Sequence, residues 1–142
     1  MNPSANTDPG LESLGPSECY ALLATVPIGR IVFTEAALPA IQPVNFVIDG
    51  TDVILRTRKG SKLVAAARSA IVAFEVDDFD ADAKAGWSVV LVGRAEAISD
   101  VADLERVRKL PLTPWAGGDR PHYIRISPEI VRGRRIPRSV EV

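Results

Sequence analysis

The pair Asp49-Gly50 stands between two stretches, 40–48 and 52–57, that are both rich in β-branched and aliphatic residues. Both turn residues tolerate positive φ, so they can reverse the chain within two positions and fix the register of the strands on either side. A further β-rich stretch, 28–34, precedes them across the break Glu35-Ala36-Ala37-Leu38-Pro39. Together the three stretches predict an antiparallel meander. Three more strands are expected over 71–76, 87–98 and 123–127, which makes six. Helices after nearly every strand, which a parallel doubly wound sheet needs, are absent. The expectation is therefore a mainly β chain, a small antiparallel β-barrel with short helices.

Three helices fit between these strands. Pro16-Ser17-Glu18 opens the first, with Cys19, Leu22, Leu23 and Val26 on one face and Pro27 as its stop. The second covers 60–68, with Ser61 as N-cap and Leu63, Ala66 and Ala67 facing inward. The third covers 100–110, capped by Asp100 and ended by Pro111. Residues 1–12 are polar and poor in apolar anchors and read as a disordered lead-in. A single domain then spans 13–136, with 137–142 as a tail. The stretch 87–98 is apolar on both faces near its centre, at Val89, Val90, Leu91 and Val92, so it predicts cover on two sides, by the barrel interior and by a partner subunit or a helix.

Composition excludes several classes of function. One cysteine, Cys19, rules out an internal disulfide and a cysteine-based zinc site, and one histidine, His122, rules out a multi-histidine metal centre in one chain. The acidic stretch 77–82 lacks the glycine and terminal glutamate of an EF-hand loop, and no metal is expected there. No apolar run approaches the ~20 residues of a membrane helix, and the N-terminus lacks a basic-then-apolar signal pattern, so a cytoplasmic protein without membrane contact is expected. Arg132, Arg134, Arg135 and Arg138 have no interleaved aromatics to stack bases, and the net charge is -1, so nucleic acid is not an expected partner.

The chemistry concentrates in Arg56-Thr57-Arg58-Lys59-Gly60-Ser61-Lys62, where four cations, two hydroxyls and a glycine meet the start of a helix with no acidic residue among them. Charge-assisted donors of this kind suit a phosphate. The Gly-Lys-Ser/Thr order of a nucleotide P-loop is missing. Strand alternation sets Arg56 and Thr57 on opposite faces, so both reach one phosphate only where the strand ends or bends. Arg58 and Lys59 are the expected solvated members. His122 is the one side chain with an ordinary pKa near neutrality, and so is the weak candidate for proton transfer.

Five motifs in register carry a family resemblance: Val26-Pro27-Ile28-Gly29-Arg30, Pro43-Val44-Asn45-Phe46, Gly60-Ser61-Lys62-Leu63, Phe74-Glu75-Val76-Asp77 and Gly86-Trp87-Ser88-Val89-Val90. The chain resembles, over about 16–136, the small actinobacterial-type members of the pyridoxamine 5′-phosphate oxidase-like family. The resemblance implies a six-stranded antiparallel split β-barrel, a homodimer, and FMN at two sites in the subunit interface. It also implies that Pro43, Val44, Asn45 and Phe46 run along the flavin ring and that Arg56, Thr57, Ser61 and Lys62 hold the phosphate. Trp87 and Ser88 approach the ring from the partner, and Trp115 closes the pocket. The function so implied is a flavin-dependent oxidoreductase acting on a small molecule of unknown identity. Alternatives on the same fold are a deazaflavin-dependent reductase, a flavin-binding or flavin-free regulatory module without turnover, and a haem or tetrapyrrole binder using His122.

Overall fold

The computed structural model describes residues 10–58 and 60–138, with Lys62 described by its backbone alone. Expectations that fell on 1–9, Lys59, the Lys62 side chain and 139–142 lie outside the described residues. Seven strands form one antiparallel sheet: β1 (Glu12–Leu14), β2 (Ile28–Glu35), β3 (Leu38–Asp49), β4 (Asp52–Thr57), β5 (Ala70–Asp80), β6 (Ala85–Ala97) and β7 (His122–Ile136). Their order is β1-β7-β4-β3-β2-β5-β6, and β6 also pairs with β7, which closes the sheet into a barrel. Among the described residues there are also three helices, α1 (Pro16–Leu23), α2 (Lys62–Ala66) and α3 (Val101–Val107). None of them is long and apolar enough to cross a membrane.

The barrel therefore has one strand more than the six expected. β1 adds to the edge of β7, pairing Glu12 with Arg135, and so takes in a residue expected in the lead-in. β5 runs on through Asp77–Asp80, where an acidic loop was expected, because β6 offers it a full ladder from Asp77↔Ser88 to Asp80↔Ala85. β7 extends nine residues past the predicted end at 127. Pro128 does not stop it, because it falls at a bulge facing Gly93, where an added Cβ would run into the backbone of Ser127 and Pro128. The hairpin β3–β4 closes at Asp49↔Asp52, so its two turn residues are Gly50 and Thr51, one position later than predicted. The hairpin β2–β3 turns on Ala36 (φ 50°) and Ala37 (φ 63°), the left-handed pair that a two-residue turn requires.

Alternation fills the barrel. Ile31, Phe46, Leu55, Phe74, Leu91 and Ile126 are buried against one another, each stabilising by ~1.5–3 kcal/mol. α1 contributes Cys19 and Leu23 to this core, and α2 and its C-cap contribute Leu63 and Ala67. Ser61 caps α2 by accepting from the Leu63 N–H at 3.2 Å, and Asp100 caps α3 by accepting from the Asp103 N–H at 2.9 Å. Gly29 is a packing requirement. A Cβ there would stand 2.7 Å from Cε2 of Phe74 and 3.0 Å from Cγ2 of Val76, and the Phe74 ring is itself held edge-on to Phe46 at 5.0 Å.

A second core of Ile54, Val107, Leu112 and Tyr123 joins α3 and the segment after it to the outside of β4 and β7. Charge ties the same elements. Arg125 donates to Asp49 (3.2 Å), Asp52 (3.1 Å) and Asp103 (2.8 and 3.0 Å), and Arg106 donates to Asp49 and Asp103. The Arg106 guanidinium leads in holding the Asp49 carboxyl below the usual carboxylate range, with Arg125 adding to it. Burial pushes Asp103 the other way, but hydrogen bonds from Arg106 and Arg125 outweigh it and lower its pKa. Arg125 thus sits on the outer face of β7 within its own chain's acidic cluster.

The remaining outer face runs across β3, β2, β5, β6 and β7. Ile41, Val32, Ala73, Val92 and Ile130 face one another in register as a single apolar row. Ile41 is 65% and Ile130 41% exposed. Beside it lies Arg30, which bonds Glu75 at 3.1 Å and Asp77 at 3.2 Å. Burial first, then the neighbouring Asp77, pushes the Glu75 carboxyl up to about 7 despite Arg30.

Candidate functional site

β3 and β4 leave the Asp49↔Asp52 turn as a regular pair, and their ladder ends at Phe46↔Leu55. Past that point β3 follows β2 alone and β4 follows β7 alone, so the two strands fork. Between the prongs opens a cleft of about 320 Å³ lined by Phe33, Glu35, Gln42, Thr57, Arg58, Gly60, Ser61, Leu63 and Arg120. Gln42, Phe33 and Thr57 reach it because each sits at an inward position of its strand, at the open end of the barrel. On its β4 side, the 38–45 stretch of β3 has no partner strand among the described residues, so a row of backbone donors and acceptors borders the cleft.

The cations and hydroxyls of the cleft come from two segments. Thr57 is the last residue of β4 and is almost wholly buried, while Arg58 follows where the strand stops. Gly60 turns the chain at φ 77°, a conformation that strains other residues, and delivers Ser61 to the start of α2. Arg120 comes from the loop before β7, some sixty positions away. Two arginines and two hydroxyl-bearing residues thus line one cleft, together with the acidic Glu35. Phe33 and Leu63, both buried, supply the large apolar side chains of the lining.

The predicted residues divide. Thr57 and Ser61 line the cleft. Arg56 does not, because β4 stays regular through Thr57 and turns it to the outer face. There it lies 5.0 Å from the Tyr123 ring and donates from Nε to the Arg120 carbonyl at 3.1 Å. Arg58, expected in solvent, is the cleft-lining arginine of that segment. Phe46 points into the barrel core, Val44 packs against that core, and Pro43 is exposed on the outer face opposite Arg30. Asn45 lies at the fork. Its Nδ2 donates to the Pro27 carbonyl (3.3 Å), and its Oδ1 accepts from the Trp115 N–H (2.8 Å).

Trp115 is 71% exposed on the loop that also carries Arg120. Trp87, expected to face a partner, is buried in the barrel, since the inward phase of β6 runs through Trp87, Val89 and Leu91. Ser88 takes the outward phase, in a separate depression of about 200 Å³ with Phe79, Arg134 and Ile136. His122 pairs with Thr57 across β4–β7 and is exposed at the barrel's end without lining the cleft. Arg120 was missed: its neighbours, Gly117, Gly118 and Asp119, read as an ordinary loop. Arg135 pairs with Glu18 at 3.6 Å and Arg138 with Asp80 at 3.2 Å, so both bind acidic groups of their own chain.

Residues 16–135 match the family described as pyridoxamine 5′-phosphate oxidase. The uncharacterized protein Rv0080 of Mycobacterium tuberculosis is 45% identical over 124 residues, covering 84% of this chain and 81% of its own. Among solved structures, the FAD binding protein from Mycobacterium smegmatis is 40% identical with a TM-score of 0.76, covering 87% of this chain and 97% of its own. The conserved protein of unknown function DIP1874 from Corynebacterium diphtheriae is 32% identical with a TM-score of 0.77, covering 90% and 99%.

Proposed function

The chain belongs to the pyridoxamine 5′-phosphate oxidase family, and from that membership we propose that it binds a phosphorylated flavin, FMN, in the cleft at the β3–β4 fork and uses it in an oxidoreductase reaction on a small molecule. The observation that carries this reading is the gathering of Arg58, Arg120, Thr57 and Ser61 in the lining of one cleft, where two cations outnumber the single carboxylate of Glu35 and which the unpaired 38–45 edge of β3 borders. The residues fit the group. A phosphate dianion takes two guanidinium forks and two hydroxyl donors, and a flat heteroaromatic ring takes an apolar floor with a hydrogen-bonding strand edge.

When bound, the flavin would supply the exchange of electron pairs with a substrate. The chain's own part is to anchor and orient. Arg58 and Arg120 would neutralise the phosphate, Thr57 and Ser61 would fix its direction, and Phe33 and Leu63 would keep water from the cleft floor. The Mycobacterium smegmatis relative is an FAD binding protein, and FAD carries the same ring and a phosphate at the same position. A deazaflavin shares the phosphate but needs a longer groove.

We extend the proposal to a homodimer formed through the row Ile41–Val32–Ala73–Val92–Ile130. Five strands contribute one apolar residue each to it, and its ends are solvent-exposed. Titration of the stripped protein with FMN, FAD, riboflavin and a deazaflavin cofactor tests the cofactor. Micromolar or tighter FMN binding is expected, about -8 kcal/mol or better, with riboflavin weaker. Arg58→Ala or Arg120→Ala should weaken FMN roughly tenfold, the worth of one charge-assisted hydrogen bond, and leave riboflavin unchanged. Preference for FAD or for deazaflavin would change the cofactor, and binding of none would refute the reading. Sedimentation should give a dimer for the native chain and a monomer for Val92→Arg; a native monomer at micromolar concentration would refute the dimer.

A further inference from the structure

Two of the residues that do not line the cleft as expected, Asn45 and Arg56, occupy equivalent places. Each is the first residue beyond the last β3–β4 pair, Phe46↔Leu55, Asn45 on one prong and Arg56 on the other. Each also holds one end of the same short segment. Asn45 Oδ1 accepts from the Trp115 N–H at 2.8 Å, and Arg56 Nε donates to the Arg120 carbonyl at 3.1 Å. The segment is closed on itself by Arg120 Nε donating to the Ala116 carbonyl at 3.4 Å. Residues 115–120 therefore strap the fork from prong to prong at its narrowest point, and Arg120, at one end of the strap, lines the cleft.

We propose that Asn45 and Arg56 are positioning residues for the cofactor cleft, acting through the 115–120 strap that spans the fork and sets Arg120 in place. The inference rests on the flavin reading above and adds to it a role for two residues that touch no ligand. Several features argue for a held strap rather than a chance contact. Both ties go to backbone atoms, so they fix the path of the strap whatever its side chains. Asn45 is itself fixed by its second bond, to Pro27, and the Arg56 guanidinium by the Tyr123 ring beneath it. Gly118 (φ 96°) lets the strap turn between its anchors.

Hydrogen exchange of the 115–120 amides and paired titrations with FMN and riboflavin test this. Asn45→Ala and Arg56→Ala should speed exchange over 115–120 while leaving the β5–β6 amides protected. Each should weaken FMN and riboflavin by a similar factor, roughly three- to tenfold for one lost hydrogen bond, because the cleft loses its shape and not only its phosphate ligand. Asn45→Asp keeps the acceptor for the Trp115 N–H but loses the donor to Pro27, and its exchange should fall between native and Asn45→Ala. Arg56→Lys, which keeps a cation over Tyr123 but lacks Nε, should behave like Arg56→Ala and guards against a folding defect. Loss of FMN with riboflavin unchanged in Arg56→Ala would make Arg56 a phosphate ligand and overturn the proposal, as would unaltered exchange over 115–120. A native protein that binds neither flavin refutes the flavin reading and the positioning role with it, while exchange in the free variants still reads the strap.

Discussion

Gly29→Ala offers a quantitative test of how tightly the barrel is packed. The new methyl would stand 2.7 Å from Phe74 Cε2 and 3.0 Å from Val76 Cγ2, where ordinary contact begins near about 3.4 Å. The ring must move by most of an ångström. It has nowhere to go, since Phe74 is fully buried and meets Phe46 edge-on at 5.0 Å. Overpacking of this kind costs ~1–3 kcal/mol, offset by ~0.4–1 kcal/mol from the reduced freedom of the unfolded alanine chain. The expected net loss is about 1–2 kcal/mol, or roughly 3–8 °C in Tm for a domain of this size. Urea unfolding at fixed protein concentration should show a lower midpoint with an unchanged slope. Phe74→Leu, which removes the far edge of the ring, should cost ~1–2 kcal/mol alone yet absorb most of the Gly29→Ala penalty in the double variant. Costs that add to within ~0.5 kcal/mol would refute the steric account.

Two further outcomes concern charge. Arg125→Met should destabilise by about 2 kcal/mol at neutral pH, between the values for exposed and buried ion pairs, because Asp49, Asp52 and Asp103 lose a shared partner. Asp49 and Asp103 have lowered pKa values, so the native advantage is present above the ordinary carboxylate range and lost as pH falls through the folded values. The urea midpoints of native and variant proteins should therefore converge as pH falls below the lowered folded values of Asp49 and Asp103. Glu75 titrates in the opposite sense: its folded pKa is about 7 against 4.5. Between those values the native state holds a proton that the unfolded chain has lost, so stability falls as pH rises. Glu75→Gln should flatten that slope in pH-dependent urea unfolding; an unchanged slope would show that Glu75 ionises normally.

Much of the barrel could be read from the sequence because its signals are local. The Asp-Gly turn, the Ser61 and Asp100 caps and the period-two apolar runs each act within a few residues. What escaped was decided by distant partners. Asp77–Asp80 reads as loop by composition, yet β6 supplies a ladder that overrides the propensity. Pro128 reads as a stop, but a bulge opposite Gly93 lets β7 pass it. Thr57 and Ser61 line one cleft, and their proximity was legible because the cation-rich turn is contiguous. Arg56 turns outward and Arg58 lines the cleft because β4 stays regular through Thr57. Arg120 and the anchoring bonds of Asn45 join segments far apart in the chain, and no spacing rule reports them.

The placement of β7 bears on how the chain folds. It pairs with β1, β4 and β6, and every one of those partners precedes it. The meander β2–β3–β4 and the hairpin β5–β6 can each form from neighbouring segments, but neither can be joined into a closed barrel until β7 has been made. β1 waits longest, since its partners lie about 120 positions downstream. Closure must then bring together segments separated by nearly the whole domain, a route that loop entropy makes slow. During synthesis the half-built barrel exposes the free edges of β4 and β6, each competent to pair with another chain. The interval before β7 docks is when this protein is most open to aggregation and when a chaperone would have most to shield.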